Sequence, residues 1–168
     1  MRLSRGVVPV EPAAGQESVW DYPRPPRVEA TTDHVVIVLA GQIVCESRDA
    51  FRVLETSHPP SYYLPAAHWA VGSLHSAAGG NVCEFKGPAR YLDVVSGSTR
   101  VPGAAWTYDE PWSGFEQIAD YIAVYPGRMD EVRVNDELVR AQDGGFYGGW
   151  ITDRVVGPFK GSPGSWGW

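Results

Sequence analysis

Glycine and proline interrupt this chain so often that no long helix has room to form. Together they supply 33 of the 168 residues (19 Gly and 14 Pro), about a fifth, against an average of about 12%. Proline ends helices and glycine weakens them, so a helical bundle is excluded. The segments between these residues are rich in Val, Ile, Leu, Tyr and Trp. Hydrophobic residues make up 43% of the chain and aromatics 12%, which is enough for a packed core and rules out a solvated, coreless polymer.

Read for pattern, the chain gives about ten short strands. Residues 34–40 and 42–46 form a pair around Ala40-Gly41. Further strands fall at 51–55, 61–64, 82–85, 89–95, 104–108 and 121–125. The segments 132–134 and 137–139 flank Asn135-Asp136, a hairpin signal. Residues 65–72 allow one or two helical turns, and Ser113 is placed to cap one short helix over 114–120. No strand–helix–strand alternation occurs, which excludes Rossmann and P-loop layouts. The expectation is a mainly β single domain over 19–168, a small curved sheet or sandwich, preceded by a flexible arm over 1–18. The proline-stiffened segment 19–26 should dock through Trp20 and Tyr22. The Gly/aromatic extension 140–168 is ordered only where it packs.

The net charge is −6 and the pI about 5.1, with no basic run to follow a phosphate backbone, so nucleic acid is not an expected partner. No apolar run is long enough to cross a membrane, and Glu11 and two prolines break what would be a leader's apolar stretch, so a cytoplasmic home is expected. Cys45 and Cys83 are then free thiols. Without a CxxC pair or histidines at ligand spacing, neither a metal nor a cofactor is expected.

One asymmetry stands out against twelve arginines: the only lysines, Lys86 and Lys160, both occupy Phe-Lys-Gly tripeptides. Lysine supplies a compact point charge whose proton affinity responds to burial, which arginine cannot. The plainer reading is two lysines in two turns. Cys83 and Lys86 can converge only if the chain bends toward Gly87, and the plainer reading of Cys83 is an inert core thiol. In Glu55-Thr56-Ser57-His58-Pro59-Pro60-Ser61-Tyr62-Tyr63, proline holds His58 extended, and Glu55 can orient its ring for acid–base work. A loop histidine with a capping bond is the alternative. His34, His68 and His75 have no such company. Tyr91, Trp106, Tyr108, Tyr121 and Tyr125 fit core positions or the wall of a pocket stacking a flat ring. In such a pocket Lys86 or Arg90 would hold an anion and Tyr147, within Phe146-Tyr147-Gly148-Gly149-Trp150, would lie over it.

Cys83-Glu84-Phe85-Lys86-Gly87, Ala89-Arg90-Tyr91-Leu92-Asp93-Val94, Ala105-Trp106-Thr107-Tyr108, Pro111 and the stretch 118–126 resemble domain-of-unknown-function family 427, provisionally labelled a nucleotidyltransferase domain. The resemblance covers roughly 35–139, and the flanks look like its longer actinobacterial-type members. It implies a small fold related to the β-tent class. The chain has no Gly-Ser pair followed by the paired aspartates that nucleotidyltransferases use to hold Mg²⁺, and none of the CxxC knuckles of zinc-bearing β-tent proteins.

The expected function is action on a small molecule, anionic or nucleotide-like, in an aromatic pocket. Lys86, His58 and Glu55 form the catalytic set. Tyr62, Cys83, Arg90, Tyr91, Trp106, Tyr108, Tyr147 and Lys160 form the ligand-binding set. A non-catalytic binding module and a structural homodimer are the competing readings.

Overall fold

A computed structural model describes residues 6–168. Residues 1–5 of the expected arm lie outside the described residues. Strand makes up 47% of the structure and helix 7%, in one domain. The strands are β1 (Glu17–Ser18), β2 (Arg27–Thr31), β3 (Val35–Leu39), β4 (Gln42–Ser47), β5 (Ala50–Leu54), β6 (Ser61–Pro65), β7 (Leu74–Cys83), β8 (Gly87–Ser96), β9 (Thr99–Thr107), β10 (Tyr121–Val124), β11 (Glu131–Val134), β12 (Glu137–Leu138), β13 (Arg140–Ala141), β14 (Trp150–Ile151) and β15 (Val155–Val156).

A seven-stranded antiparallel sheet runs β2-β5-β6-β10-β9-β8-β7, and a four-stranded one runs β12-β11-β3-β4. Both tight turns of the smaller sheet sit where the sequence signals them. Ala40-Gly41 and Asn135-Asp136 all have positive φ, the geometry that matches strand twist in a two-residue hairpin.

The two sheets close over one core. Val35 and Ile37 of β3 and Val132 and Val134 of β11 meet Leu64, Ile122, Val124, Leu92 and Val94 of the large sheet. The opposite face of the large sheet is also covered. Val53, Tyr63, Ala123, Trp106, Tyr108 and Ala89 form a second cluster there with Phe115 and Ile118. Strand alternation divides the work, since successive side chains point to opposite faces. Tyr62 and Leu64 enter the inter-sheet core, and Tyr63 faces the other way.

The expected helix at 114–120 is only a 3-10 turn, Glu116–Ile118, with Phe115 at its N-cap position and no side-chain cap from Ser113. Phe115 and Ile118 are three residues apart and both buried, and the three-residue period of a 3-10 turn puts them on one side. Among the described residues three other 3-10 turns occur, at Val19–Asp21, Ala66–His68 and Pro126–Arg128. The strand expected at 82–85 instead begins at Leu74 and ends at Cys83. Most of its residues are exposed and a register shift interrupts it between Ser76 and Gly80, so it carries little hydrophobic alternation.

The segment expected to be a free arm is tied to the C-terminal region. Val10 N donates to the Gly157 carbonyl (2.8 Å), Gln16 Nε2 donates to the Asp153 carbonyl (2.7 Å), and β1 pairs in parallel with β15. Trp20 and Tyr22 are buried with Leu54 and Val155, and Trp20 Nε1 donates to the Pro158 carbonyl at 2.9 Å. Arg52, 1% exposed, fastens this corner. It donates to Glu17 at 3.0 and 3.2 Å and to Glu29 at 2.9 Å. Arg154 bridges Glu17 and Asp33, each at 3.1 Å.

Candidate ligand pocket

The pocket lies on the second face of the large sheet. Its floor is Val53 of β5, Ser61 and Tyr63 of β6 and Trp106 of β9, with Tyr108 and Tyr125 just beyond their strands. One wall is the hairpin tip joining β7 and β8. Cys83 pairs with Gly87 across this tip, so residues 84–86 form the turn, and the bend foreseen as necessary for Cys83 and Lys86 to converge is present. Gly87 has φ +99°, and a side chain there would press on the Trp112 indole. The opposite wall comes from the C-terminal extension: Gln142, Phe146, Tyr147, Gly148 and Lys160. Gly148 lies flat against the Trp106 ring, where no Cβ has room. The cavity, partly open to solvent, is about 320 Å³.

Lys86 and Lys160 both line the cavity, each beside a different tyrosine ring. Lys86 Nζ stands 5.9 Å from the centre of the Tyr108 ring, and Lys160 Nζ stands 5.7 Å from that of Tyr147. Lys160 also donates to the Trp168 carbonyl at 3.2 Å. Burial works against the Lys86 charge. Tyr63, the Cys83 thiol beside it and the Glu55 carboxylate outweigh that, so its pKa is raised and the ammonium stays protonated. Both lysines precede a glycine with positive φ, Gly87 and Gly161.

His58 Nε2 is 3.4 Å from Glu55 Oε2, and Arg24 Nη2 donates to the same oxygen at 3.2 Å. Burial raises the Glu55 pKa, but contact with His58 and the charges of Lys86 and Arg24 outweigh it and hold the carboxyl below its usual range. On the ring's other side, Gln142 Nε2 lies 3.3 Å from Nδ1. The Tyr147 ring packs edge-on against the imidazole at 5.2 Å. Burial, together with the neighbouring Tyr63 and Cys83, pushes the Tyr108 phenol up. Burial and Tyr91 push Tyr125 up to about 12. These phenols are neutral hydrogen-bonding groups at physiological pH.

The cavity thus gathers Lys86, His58, Glu55, Cys83, Trp106, Tyr108, Tyr147 and Lys160 from the expected set. Three expected residues lie elsewhere. Tyr62 stacks on Trp150 (4.7 Å) in the inter-sheet core, on the wrong face of β6. Arg90 is exposed and held by both Asp109 oxygens, at 2.9 and 3.1 Å. Tyr91 stands one layer out, its hydroxyl accepting from Asn81 at 3.0 Å. Tyr63 and Gln142 line the cavity without having been singled out from sequence. The alternation of β6 carries the signal for Tyr63, and nothing in the sequence carries one for Gln142. Among the described residues, no group of three or more His, Cys, Asp or Glu side chains is arranged to hold a metal. No helix there is long and apolar enough to cross a membrane.

The chain is thus a mainly β single-domain protein with an aromatic-lined cavity on one face of its large sheet. Residues 27–135 match the family described as a domain of unknown function (DUF427), and the chain belongs to that family. No curated protein matches the chain. The matched span includes Glu55, His58, Cys83, Lys86, Trp106 and Tyr108, and ends before Gln142, Tyr147 and Lys160.

Proposed function

We propose that this protein binds a small planar organic anion in the pocket and acts on it by proton transfer. The observation that carries this reading is that two lysines and the Glu55–His58 pair line one aromatic cavity of about 320 Å³. That volume is at the lower end of ligand sites, about 300–1,000 Å³, and suits one ring system with a charged substituent better than a dinucleotide. The aromatic floor supports stacking of a flat ring. Lys86 and Lys160 supply the charge complement, and the ion-paired Glu55 offsets only part of it. Lys86, being protonated, acts as a charge and not as an amine nucleophile.

The test is a thermal-shift and calorimetric screen of small aromatic carboxylates and nucleoside monophosphates, followed by NMR of each binder for chemical change. At a hundredfold excess over Kd a binder stabilises the fold by about 2.7 kcal/mol. Lys86→Met and Lys160→Met should each weaken it at least about tenfold, as expected for losing a charged hydrogen bond. Binding without chemical change identifies a non-catalytic module. The reading fails if no panel member binds, or if binding survives the double substitution.

A further inference from the structure

Every hydrogen-bonding atom of the Gln142 amide has an assigned direction. Oε1 accepts from the Gly149 backbone N–H at 3.1 Å, and Nε2 donates to the Lys160 carbonyl at 2.6 Å. Turning the amide over would set donor against donor at Gly149 and acceptor against acceptor at Lys160. The amide nitrogen therefore faces His58 Nδ1, at 3.3 Å. Gln142 is 5% exposed and the His58 side chain 16%, so bulk water does not relieve a mismatch there. A proton on Nδ1 would point at another N–H. Nδ1 must offer its lone pair, and the neutral ring carries its proton on Nε2, toward Glu55 Oε2.

That leaves the two oxygens of Glu55 unequal. Oε2 faces His58 and Arg24. Among the described residues Oε1 has no hydrogen-bond partner, and Glu55, its side chain 22% exposed, lines the cavity.

We propose that Gln142 is a positioning residue that commits His58 to the Nε2–H tautomer, and that the proton acceptor of the pocket is consequently Oε1 of Glu55 and not the imidazole. This deepens the reading given under Proposed function and rests on it for what the acceptor acts upon. The reaction class follows from the parts. A C–H, N–H or O–H bond of the bound anion breaks, its electron pair stays on the ligand, and the proton joins Oε1. The charge that develops faces the Lys86 ammonium. Returning the proton to a different ligand atom completes an isomerisation with no co-reactant. The ligand's own negative charge offsets the field of Lys86, which raises the proton affinity of Glu55 when the site is filled. The group that sets the tautomer, Gln142, and both backbone groups that orient it lie beyond the span matched by the family.

The experiment uses the full, ligand-free chain labelled with ¹⁵N and ¹³C. Two-bond ¹H–¹⁵N correlations in mildly alkaline buffer report which nitrogen of each imidazole carries the proton, and the His58→Gln spectrum identifies the His58 pattern by its absence. The Nε2–H form should dominate by about tenfold, the worth of one net hydrogen bond. Gln142→Met keeps the length and removes the donor, and should bring the two tautomers within about threefold. The Glu55 side-chain ¹³C resonance should be that of an ionised carboxylate at neutral pH. An Nδ1–H ring in the wild type overturns the proposal without need of any variant. So does a tautomer ratio indifferent to Gln142→Met, or a Glu55 that is protonated at neutral pH. A failed ligand screen would sink the binding function and leave the tautomer result standing, so the two failures are distinguishable.

Discussion

Replacing Glu17 by Gln tests how the N-terminal segment is fastened to the sheet. Glu17 accepts from the buried Arg52 through both oxygens, from Arg154, and from the Tyr22 hydroxyl at 2.7 Å. Burial works against its charge, yet these partners pull its pKa from 4.5 to about 2. A displacement of that size corresponds to about 3 kcal/mol favouring the folded state. The side chain is 29% exposed, so solvent screening brings the figure to about 2 kcal/mol. Glutamine keeps the shape and one acceptor, and Arg52 keeps Glu29, so the change falls mainly on the charge. A protein of this size loses about 2–4 °C of Tm per kcal/mol, giving a drop of about 4–8 °C at neutral pH. The pH dependence carries the sharper test. A carboxyl with a depressed folded pKa contributes fully above its unfolded value and loses that contribution as pH falls through the folded one. The gap in Tm between wild type and Glu17→Gln, measured by calorimetry, should therefore be constant above about pH 5.5 and close as pH falls from 4.5 toward 2. A gap that persists unchanged to the acid end would refute the reasoning, since packing and not charge would then hold the corner.

Two further outcomes are expected. Gly148→Ala forces a methyl into the Trp106 ring and should destabilise the protein by about 1–3 kcal/mol, visible as a lowered urea midpoint, with tryptophan fluorescence reporting the displaced indole. Cys45 is buried, and burial with the neighbouring Glu46 pushes its thiol up to about 12, whereas Cys83 is partly exposed at the pocket. Intact-mass analysis after iodoacetamide should show a single adduct, at Cys83, on the native protein and a second only in denaturant; first labelling at Cys45 would contradict the burial described.

The strands were readable where hydrophobic alternation or a turn signal was strong. The segment 34–46 and the Asn135-Asp136 hairpin sit where pattern and positive-φ chemistry predict. β2 was missed because Arg27 and Glu29 break the pattern of an edge strand, and β7 because it buries little. The pocket was legible in outline, since a scarce residue type in a repeated tripeptide drew attention to Lys86 and Lys160. Its finer membership was not. Choosing Tyr62 over Tyr63 depends on the phase of β6, and one residue of phase moves a ring from the pocket to the core. Gln142 was invisible because its role comes from Gly149, Lys160 and His58 meeting in space, which no local pattern encodes.

The parallel pairing of β1 with β15 has a consequence for how the molecule is made. Synthesis is vectorial: Glu17 leaves the ribosome early, and the strand it pairs with emerges only after both main sheets have been translated. Until then the Arg52 guanidinium has no Glu17 to meet in its finished setting, and Trp20 lacks the Pro158 carbonyl its indole will bond. The wall of the pocket that carries Gln142, Tyr147 and Lys160 arrives in the same late stretch of chain. A nascent chain stalled short of that point would hold a folded sheet with an open face, and the emergence of residues 142–160, not elongation of the sheets, would be the moment at which both the clasp and the pocket come into being.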